Sequence, residues 1–252
     1  MKSLVVQVAQ RSFIGSRPVN EDCLAVRQER DFLCLVLSDG AGGHGNGEVA
    51  ARLVVERVVS GFRSRPPTDI EDLSELLLDA HDAVVAGQKD MGSVNTRAAM
   101  HATVVVLLID TSSGLAMWGH VGDSRLYLWR EGALSSVTRD DSVLQSMLDT
   151  GLVDPERIRN LRNRGVLLAA LGSAEEAQPH VCGPFELRAS DVFLLCSDGW
   201  WGSFEPRDLS TLLSSASTPE DWLDSMSDRT RDQADPRQDN YSAIACWIMS
   251  VG

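Results

Sequence analysis

Residues 32–62 read FLCLVLSDGAGGHGNGEVAARLVVERVVSGF, and the fold class follows from the pattern in this segment. The first six residues are apolar and lead into Asp39-Gly40, which is typical of a buried strand that ends in a sharp turn. From Gly47 to Phe62, apolar residues recur at spacings of three and four, which predicts an amphipathic helix. A buried strand therefore leads through a glycine-rich turn into a helix, and an acidic residue stands where the strand ends.

A second helical pattern follows the proline-containing break at residues 64–69. Strand-like runs are more numerous, and strands are predicted at Leu4–Ala9, Cys23–Gln28, Phe32–Leu37, Ala102–Asp110, Gly114–Val121, Arg125–Trp129, Val192–Cys196 and Ser242–Met249. The short turns Asp110–Gly114 and Arg130–Gly132 are typical of antiparallel hairpins. A block of strands, two long helices and then more strands predict an α+β fold with antiparallel sheets rather than alternating β-α-β units. Because no repeat or linker divides the sequence, we expect a single domain over residues 1–252.

The composition is that of an ordinary globular protein, with 43% hydrophobic and 23% charged residues. The net charge of −13 disfavours binding to nucleic-acid phosphates and to anionic lipid. The apolar runs are too short to cross a bilayer, and the N-terminal sequence lacks the features of a signal peptide. The five cysteines form no Cys-x-x-Cys pair, as is usual for reduced thiols. We therefore expect a cytoplasmic monomer with no nucleic-acid partner and no membrane insertion.

Five aspartates stand at the edges of predicted strands. Asp39, Asp123 and Asp198 follow apolar runs, whereas Asp22 and Asp239 precede them. A single Asp-Gly at a strand end is usually only a turn, but five such positions are harder to explain in that way. Carboxylates brought close together repel one another unless they are protonated or bridged by cations, and oxygen ligands suit Mg²⁺ or Mn²⁺ rather than zinc. The spacing alone leaves open whether the five side chains converge.

The motifs around these aspartates, taken in order, resemble those of the bacterial metal-dependent protein phosphatases of type 2C. RPVNED at residues 17–22 resembles the family's opening Arg-x-x-Asn-x-Asp, and SDGAGGHGNGEVAA at residues 38–51 resembles its glycine-rich signature. Five further segments resemble the family's later motifs: HATVVVLLID, GHVGDSRLYLWREGAL, LLAALGS, FLLCSDGWWG and DNYSAI. Each match is weak alone, but all of them in order along nearly the whole chain form a specific pattern.

The resemblance implies a four-layer α-β-β-α sandwich, with two central antiparallel sheets flanked by helices and a two-metal centre for Mg²⁺ or Mn²⁺. The metal ligands that it implies are Asp22, Asp39, Gly40, Asp123, Asp198 and Asp239. Asp39 would bridge the two ions, and Gly40 would bind one of them through its carbonyl. Asp22 would act mostly through bound water, Asp123 would bind a weaker third metal, and the remaining two aspartates would hold the second ion.

The implied activity is hydrolysis of phosphoserine and phosphothreonine in proteins by a water that the two cations activate. Arg17 matches the arginine that binds the substrate phosphate. His44 is a candidate general acid, although a histidine that orients the glycine-rich turn is an equally good interpretation. The implied partners are phosphorylated protein substrates of a bacterial serine/threonine kinase.

The region around residues 139–165 resembles the flap subdomain of the bacterial members. Asp140-Asp141-Ser142 stands where those members often have Asp-His-Ser. The substitution lies at the start of the flap, so it bears on substrate preference rather than on the metal chemistry.

Three other interpretations compete with a metal-dependent hydrolase. Gly40, Gly42 and Gly45 fit the Gly-x-Gly-x-x-Gly dinucleotide fingerprint, which also needs a second strand after the helix. Cys182 and Arg188 have the Cys-x5-Arg spacing of cysteine-dependent phosphatases, but the intervening proline removes one of the amides that would hold an anion. A catalytically silent module of the same fold would instead bind phosphorylated partners or act as a scaffold.

Overall fold

The computed structural model describes residues 4–42, 46–90, 100–152, 166–174 and 177–250. Those ranges contain eleven strands and six helices. The strands are β1 (Leu4–Phe13), β2 (Asp22–Glu29), β3 (Phe32–Gly42), β4 (Met100–Ala102), β5 (Val104–Asp110), β6 (Leu115–Val121), β7 (Arg125–Arg130), β8 (Ala133–Ser136), β9 (His180–Glu186), β10 (Val192–Cys196) and β11 (Tyr241–Ser250). The helices are α1 (Gly47–Ser64), α2 (Ile70–Asp90), α3 (Val143–Asp149), α4 (Asp198–Trp201), α5 (Pro206–Ser215) and α6 (Pro219–Gln233).

The strands form two sheets with the orders β1-β11-β10-β7-β8 and β2-β3-β5-β6-β9, and β4 pairs with the end of β3. The pairs within both sheets are antiparallel, and the β5–β6 and β7–β8 hairpins form at the two predicted turns. The sequence patterns did not predict β4, β8 or β9. Both β8 and β9 are edge strands, and β9 contains a Gly-Pro dipeptide and buries little of its surface, so neither carries a strong apolar pattern.

Both sheets are covered by apolar side chains on both faces. Leu35 and Leu37 of β3 pack in the core between the sheets, whereas Cys34 and Val36 pack in the core beneath α1 and α2. On the opposite side, Trp222 of α6 packs in a third core against the first sheet. The order of layers is therefore helix, sheet, sheet, helix, which confirms the α-β-β-α sandwich. The continuous apolar run of β3 follows from this burial, because alternate side chains enter different cores.

The sandwich brings distant parts of the chain to one edge. In antiparallel sheets, the end of one strand lies beside the start of its neighbour, and this holds for β3 beside β2 and for β10 beside β11. The predicted ligands lie at these strand ends: Asp22 begins β2, Asp39 and Gly40 are near the end of β3, Asp123 is in the β6–β7 turn, Asp198 follows β10 and Asp239 precedes β11. The pairing of the strands therefore brings the five aspartates to the same edge of the sandwich.

The predicted flap is described only in part. Helix α3 lies within it, and the hydroxyl of Ser142 caps the helix by accepting a hydrogen bond from the Gln145 backbone N–H. Residues 153–165 lie outside the described residues. None of the helices in the described ranges is both long enough and apolar enough to cross a bilayer.

Candidate active site

One acidic cleft of about 280 Å³ opens at the edge of the sandwich. It is lined by Arg17, Glu21, Asp39, Gly40, Ala41, Thr103, Asp123, Leu167, Asp198, Asp239 and Asn240. Four of the five predicted aspartates, the predicted glycine and the predicted phosphate-binding arginine therefore meet at one place. The only candidate from the sequence that lies outside the described residues is His44.

Asp22, the fifth aspartate, stands directly behind this cleft. It lies opposite Asp39 in the β2–β3 pair, an arrangement in which two like charges repel. The hydroxyl of Ser197 donates to Asp22 Oδ2 at 2.9 Å, whereas Oδ1 is buried and has no hydrogen-bond partner among the described residues. An unpaired buried carboxylate oxygen is costly, so this site favours a proton, an ordered water or a cation.

Burial is the largest cause that disfavours the charged forms of these carboxyl groups. Burial, together with neighbouring carboxylates, raises the pKa of Asp22 to about 7 and that of Asp123 to about 8. The pKa values of Asp39 and Asp198 are also raised, first by burial and then by the surrounding aspartates. For Asp198, the neighbouring carboxylate of Asp239 adds to the rise in pKa, whereas the Asp39 carboxyl partly offsets it. The cleft thus holds more negative charge than the protein alone can neutralise.

The donor set fits hydrated divalent cations. Among the described residues, no three acidic, histidine or cysteine side chains already surround a single point as a complete ligand set. Mg²⁺ commonly binds through one or two carboxylates and keeps several waters, so a full protein cage is not required. Crowded carboxylates with raised pKa values, in a cleft whose described lining includes no thiol, suit Mg²⁺ or Mn²⁺, as the sequence predicts.

Gly40 and Gly199, which follow Asp39 and Asp198, allow the backbone to pack closely, and this packing positions the two carboxylates. A Cβ at Gly40 would lie 2.0 Å from the carbonyl oxygen of Gly47, where the end of β3 passes the start of α1. A Cβ at Gly199 would lie 2.0 Å from the carbonyl oxygen of Asn240. No side chain fits at such distances. Glycine is therefore required at both positions by tertiary contacts as well as by the local turn.

Thr103 and Ser124 connect two of the aspartates, although sequence reasoning gave neither a role. The Thr103 hydroxyl accepts a hydrogen bond from the Asp39 backbone N–H at 3.0 Å and lies 2.7 Å from the Ser124 hydroxyl. The Thr103 backbone N–H donates to the Asp39 carbonyl at 2.8 Å. Both residues are in quoted motifs, but only the fold reveals that they fix Asp39 relative to the Asp123 turn.

Asn240 holds the Arg17 loop and was also missed. Its side-chain amide donates to the carbonyl oxygens of Ile14 at 2.7 Å and Val19 at 3.0 Å, and its side-chain oxygen accepts from the Glu21 backbone N–H. Arg17 Nη2 donates to Asp239 Oδ2 at 2.6 Å. The guanidinium is thereby placed at the mouth of the cleft, with further N–H donors for a phosphate.

The Asp123 turn is supported by Trp201 and Arg125. Trp201 Nε1 donates to the Asp123 carbonyl oxygen at 2.9 Å, and the Arg125 guanidinium stacks 3.6 Å from the centre of the same ring. Arg125 also donates twice to the carboxylate of Asp140, with both bonds at 2.8 Å. Trp200, the sequence neighbour of Trp201, is buried in the core.

We expect the substitution Arg125→Met to lower the melting temperature by roughly 10 °C, because it leaves the buried Asp140 without its cation at a cost of about 3 kcal/mol. The double substitution Arg125→Met/Asp140→Leu should recover at least half of this loss, since both charges are then removed. Thermal denaturation of the metal-free proteins measures both shifts. An unchanged melting temperature in the single variant would contradict the prediction.

The described residues argue against both motif-based alternatives. The helix after β3 leads into α2 rather than into a strand parallel to β3, so the glycines do not belong to a dinucleotide-binding β-α-β unit. Cys182 lies within β9 opposite Trp118, and Arg188 forms an ion pair with Glu131. A strand offers no nest of amides around the thiol, so the Cys-x5-Arg spacing is accidental.

The chain is similar to known protein phosphatases. Residues 9–240 match the family described as Protein phosphatase 2C. The serine/threonine protein phosphatase PstP of Mycobacterium tuberculosis is 33% identical over 198 residues, which are 78% of this chain and 37% of that protein. This chain therefore spans little more than a third of the length of that relative.

Solved structures show the same architecture. The crystal structure of the Mycobacterium tuberculosis phosphatase PstP/Ppp superimposes with a TM-score of 0.82 at 28% identity, covering 96% of this chain and 97% of that one. The PstP catalytic domain in complex with two manganese ions has a TM-score of 0.80 at 27% identity, covering 98% and 99%. With a family match over nearly its whole length, a sandwich shared with these structures and an acidic cleft at the edge of that sandwich, the chain belongs to the Protein phosphatase 2C family.

Proposed function

We propose that this protein is a metal-dependent phosphatase that removes phosphate from phosphoserine and phosphothreonine in proteins. The observation that carries the proposal is the convergence of partly or fully buried aspartates and Arg17 on one open cleft. A scaffold would not need to bury unneutralised carboxylates, because such burial destabilises the fold unless cations are bound. The names of the relatives, serine/threonine phosphatases, support the same substrate class.

The proposed metal ligands are those that the sequence predicts. Asp39 would be shared by two cations, Gly40 would contribute its carbonyl, Asp22 would act mostly through bound water, and Asp198 and Asp239 would hold the second ion. Asp123, on the β6–β7 turn, would bind a weaker third ion. When bound, the cations supply an activated water and neutralise charge on the phosphoryl oxygens.

Arg17 is proposed to bind and orient the phosphate. Its guanidinium stays charged at all working pH values and offers paired donors that match two phosphate oxygens. The bond to Asp239 keeps the side chain at the mouth of the cleft before substrate arrives. His44 remains a candidate either for protonating the leaving alkoxide or for orienting the glycine-rich turn.

The wider assignments are also proposals. We infer a single domain with a flap around residues 139–165, acting as a cytoplasmic monomer. Its substrates would be phosphoproteins, so a serine/threonine kinase must act before it. The choice between Mg²⁺ and Mn²⁺ is left to experiment.

Phosphate release from phosphoserine and phosphothreonine peptides tests the proposal. We expect activity with Mn²⁺ or Mg²⁺, complete loss with EDTA, recovery on adding metal back, and no loss with iodoacetamide. Inactivity with every divalent metal would favour the scaffold interpretation, and loss of activity with iodoacetamide would favour a thiol mechanism.

The substitution Arg17→Lys should lower kcat/KM for phosphopeptides by roughly 10- to 100-fold, since a single ammonium cannot replace paired guanidinium donors. Steady-state kinetics at saturating Mn²⁺ measures the effect. As a matched control, Arg27→Lys changes an exposed arginine of β2 and should leave kcat/KM unaltered. Equal kinetics for the two variants would argue against phosphate binding by Arg17.

A further inference from the structure

Four of the exposed apolar residues in the described ranges lie close in sequence to residues that line the acidic cleft. The large hydrophobic residues that are exposed within the described ranges are Val5, Ile14, Val19, Leu152, Val166, Leu168 and Met249. Two of them, Ile14 and Val19, flank Arg17 in the sequence, and two others flank Leu167, which lines the cleft. Apolar side chains that stay exposed beside a cleft are typical of an interaction site.

A second cleft adjoins the acidic one and is called here the side cleft. It has a volume of about 320 Å³ and is lined by Phe13, Ile14, Gly15, Ser16, Thr230, Arg231, Ala234, Asp235, Gln238 and Tyr241. The two clefts share a wall, because Ser16 and Gln238 of the side cleft are followed directly by Arg17 and Asp239 of the acidic cleft. The two clefts are therefore close enough for one bound peptide to reach both.

The apolar part of the side cleft is rigidly built. The rings of Phe13 and Tyr241 stack with their centres 4.8 Å apart. Ile14 is 45% exposed even though its carbonyl is fixed by the side chain of Asn240. This part-buried hydrogen bond fixes the backbone that carries the exposed Ile14 side chain.

The charged residues of the side cleft are already paired. Arg231 forms an ion pair with Asp228, and Asp235 accepts hydrogen bonds from the backbone and side chain of Arg237. Little net charge is left to select a charged ligand, so the remaining basis for recognition is apolar contact.

Building on the function proposed above, we propose that the side cleft binds an apolar side chain of the substrate polypeptide while the phosphorylated residue occupies the acidic cleft. The Cα atoms of Gly15 and Arg17 are at most about 7 Å apart, and an extended peptide advances about 3.3 Å per residue. This separation corresponds to an apolar residue about two positions from the phosphorylated serine or threonine. Ile14, Phe13 and Tyr241 determine this specificity.

A set of phosphothreonine peptides tests this proposal. The peptides carry a single leucine, or serine in its place, at each position from four before to four after the phosphothreonine. At saturating Mn²⁺, we expect leucine at one position to raise kcat/KM by about tenfold, as one apolar side chain in a pocket typically does. With Ile14→Ser, this ratio should fall towards one.

Val5→Ser is the matched control. Val5 is 43% exposed, close to the exposure of Ile14, but it lies in β1 opposite Met249 and away from both clefts. This variant should keep the tenfold ratio. A ratio that is unchanged in Ile14→Ser, or equally lost in Val5→Ser, overturns the proposal.

Hydrolysis of p-nitrophenyl phosphate separates this inference from the proposed function, because that substrate carries no peptide to reach the side cleft. If it is not hydrolysed with any divalent metal, the phosphatase assignment fails. If it is hydrolysed but no leucine position is preferred, only the side-cleft proposal fails. Analytical ultracentrifugation tests for self-association. If the protein is a dimer that Ile14→Ser dissociates, and no peptide preference is seen, the side-cleft proposal is overturned and the exposed apolar residues serve self-association instead.

Discussion

Replacement of Asp39 by asparagine is expected to reduce phosphatase activity by about 10³-fold or more, while the metal-free protein becomes more stable. Asp39 lies at the end of β3, opposite Asp22 and close to Asp198. The amide keeps the shape of the side chain but removes the charge that would be shared by two cations, and metal assistance contributes several kcal/mol to such reactions.

The same substitution should stabilise the metal-free protein, because the charge that would bind cations destabilises the fold when no cation is bound. Burial and four neighbouring aspartates raise the pKa of Asp39 well above its ordinary value. Removing this charge should stabilise the metal-free fold by about 1 kcal/mol or more, which raises the melting temperature by roughly 2–4 °C.

The control for this prediction is Asp31→Asn, at the other end of the same strand. Asp31 is exposed, and hydrogen bonds are made to its backbone carbonyl, which the substitution preserves. This variant should keep both its activity and its melting temperature. Full activity in Asp39→Asn at saturating Mn²⁺ would refute the role of Asp39, and a lower melting temperature of its metal-free form would refute the electrostatic argument.

The second large effect concerns metal and pH together. The metal-free protein should lose stability as the pH rises from about 5 to 8.5. Asp22 and Asp123 have folded-state pKa values of about 7 and about 8, above those of an unfolded aspartate. A raised folded-state pKa contributes stability that is complete below the unfolded pKa and is lost as the pH rises through the folded pKa.

Divalent metal should reverse this loss. A cation present at 100 times its Kd stabilises the folded state by about 2.7 kcal/mol per site, so two sites give about 5 kcal/mol and a rise in melting temperature of about 10 °C or more. Because deprotonated carboxylates bind cations best, the rise with Mn²⁺ should be larger at pH 8 than at pH 6.

Thermal denaturation at several pH values, with EDTA or with Mn²⁺, measures how the stability of the metal-free and the metal-bound protein changes with pH. Asp123→Asn should flatten the pH dependence of the metal-free protein, whereas Asp82→Asn, an exposed position on α2, should not. A metal-free protein whose stability rises with pH over this range would contradict the prediction.

The strongest sequence predictions came from apolar periodicity. The run at β10 matched its observed bounds, and the hairpin turns at Asp110–Gly114 and Arg130–Gly132 were predicted because turn chemistry is local. The edge strands β8 and β9 were missed because a strand that buries little surface needs no strong apolar pattern. Their pairing is decided by the neighbouring strand.

The aspartates could be singled out from the sequence, but their supporting residues could not. Asp39 and Asp198 stand out because each ends an apolar run before a glycine. Thr103 and Asn240 look like ordinary polar residues near strands, and their roles arise from hydrogen bonds to segments 64 and more than 200 residues away. Nothing local in the sequence encodes such partners.

By itself, the sequence determined the antiparallel α+β class, the acidic positions and the family resemblance, since periodicity, turn residues and ordered motifs are all read along the chain. Only the tertiary structure decided that the carboxylates share one cleft, that Asp22 keeps an unpaired buried oxygen and that apolar residues border Arg17. The physical reason is that burial and electrostatic repulsion depend on distances in space, and strand pairing sets these distances between segments that lie far apart in the chain.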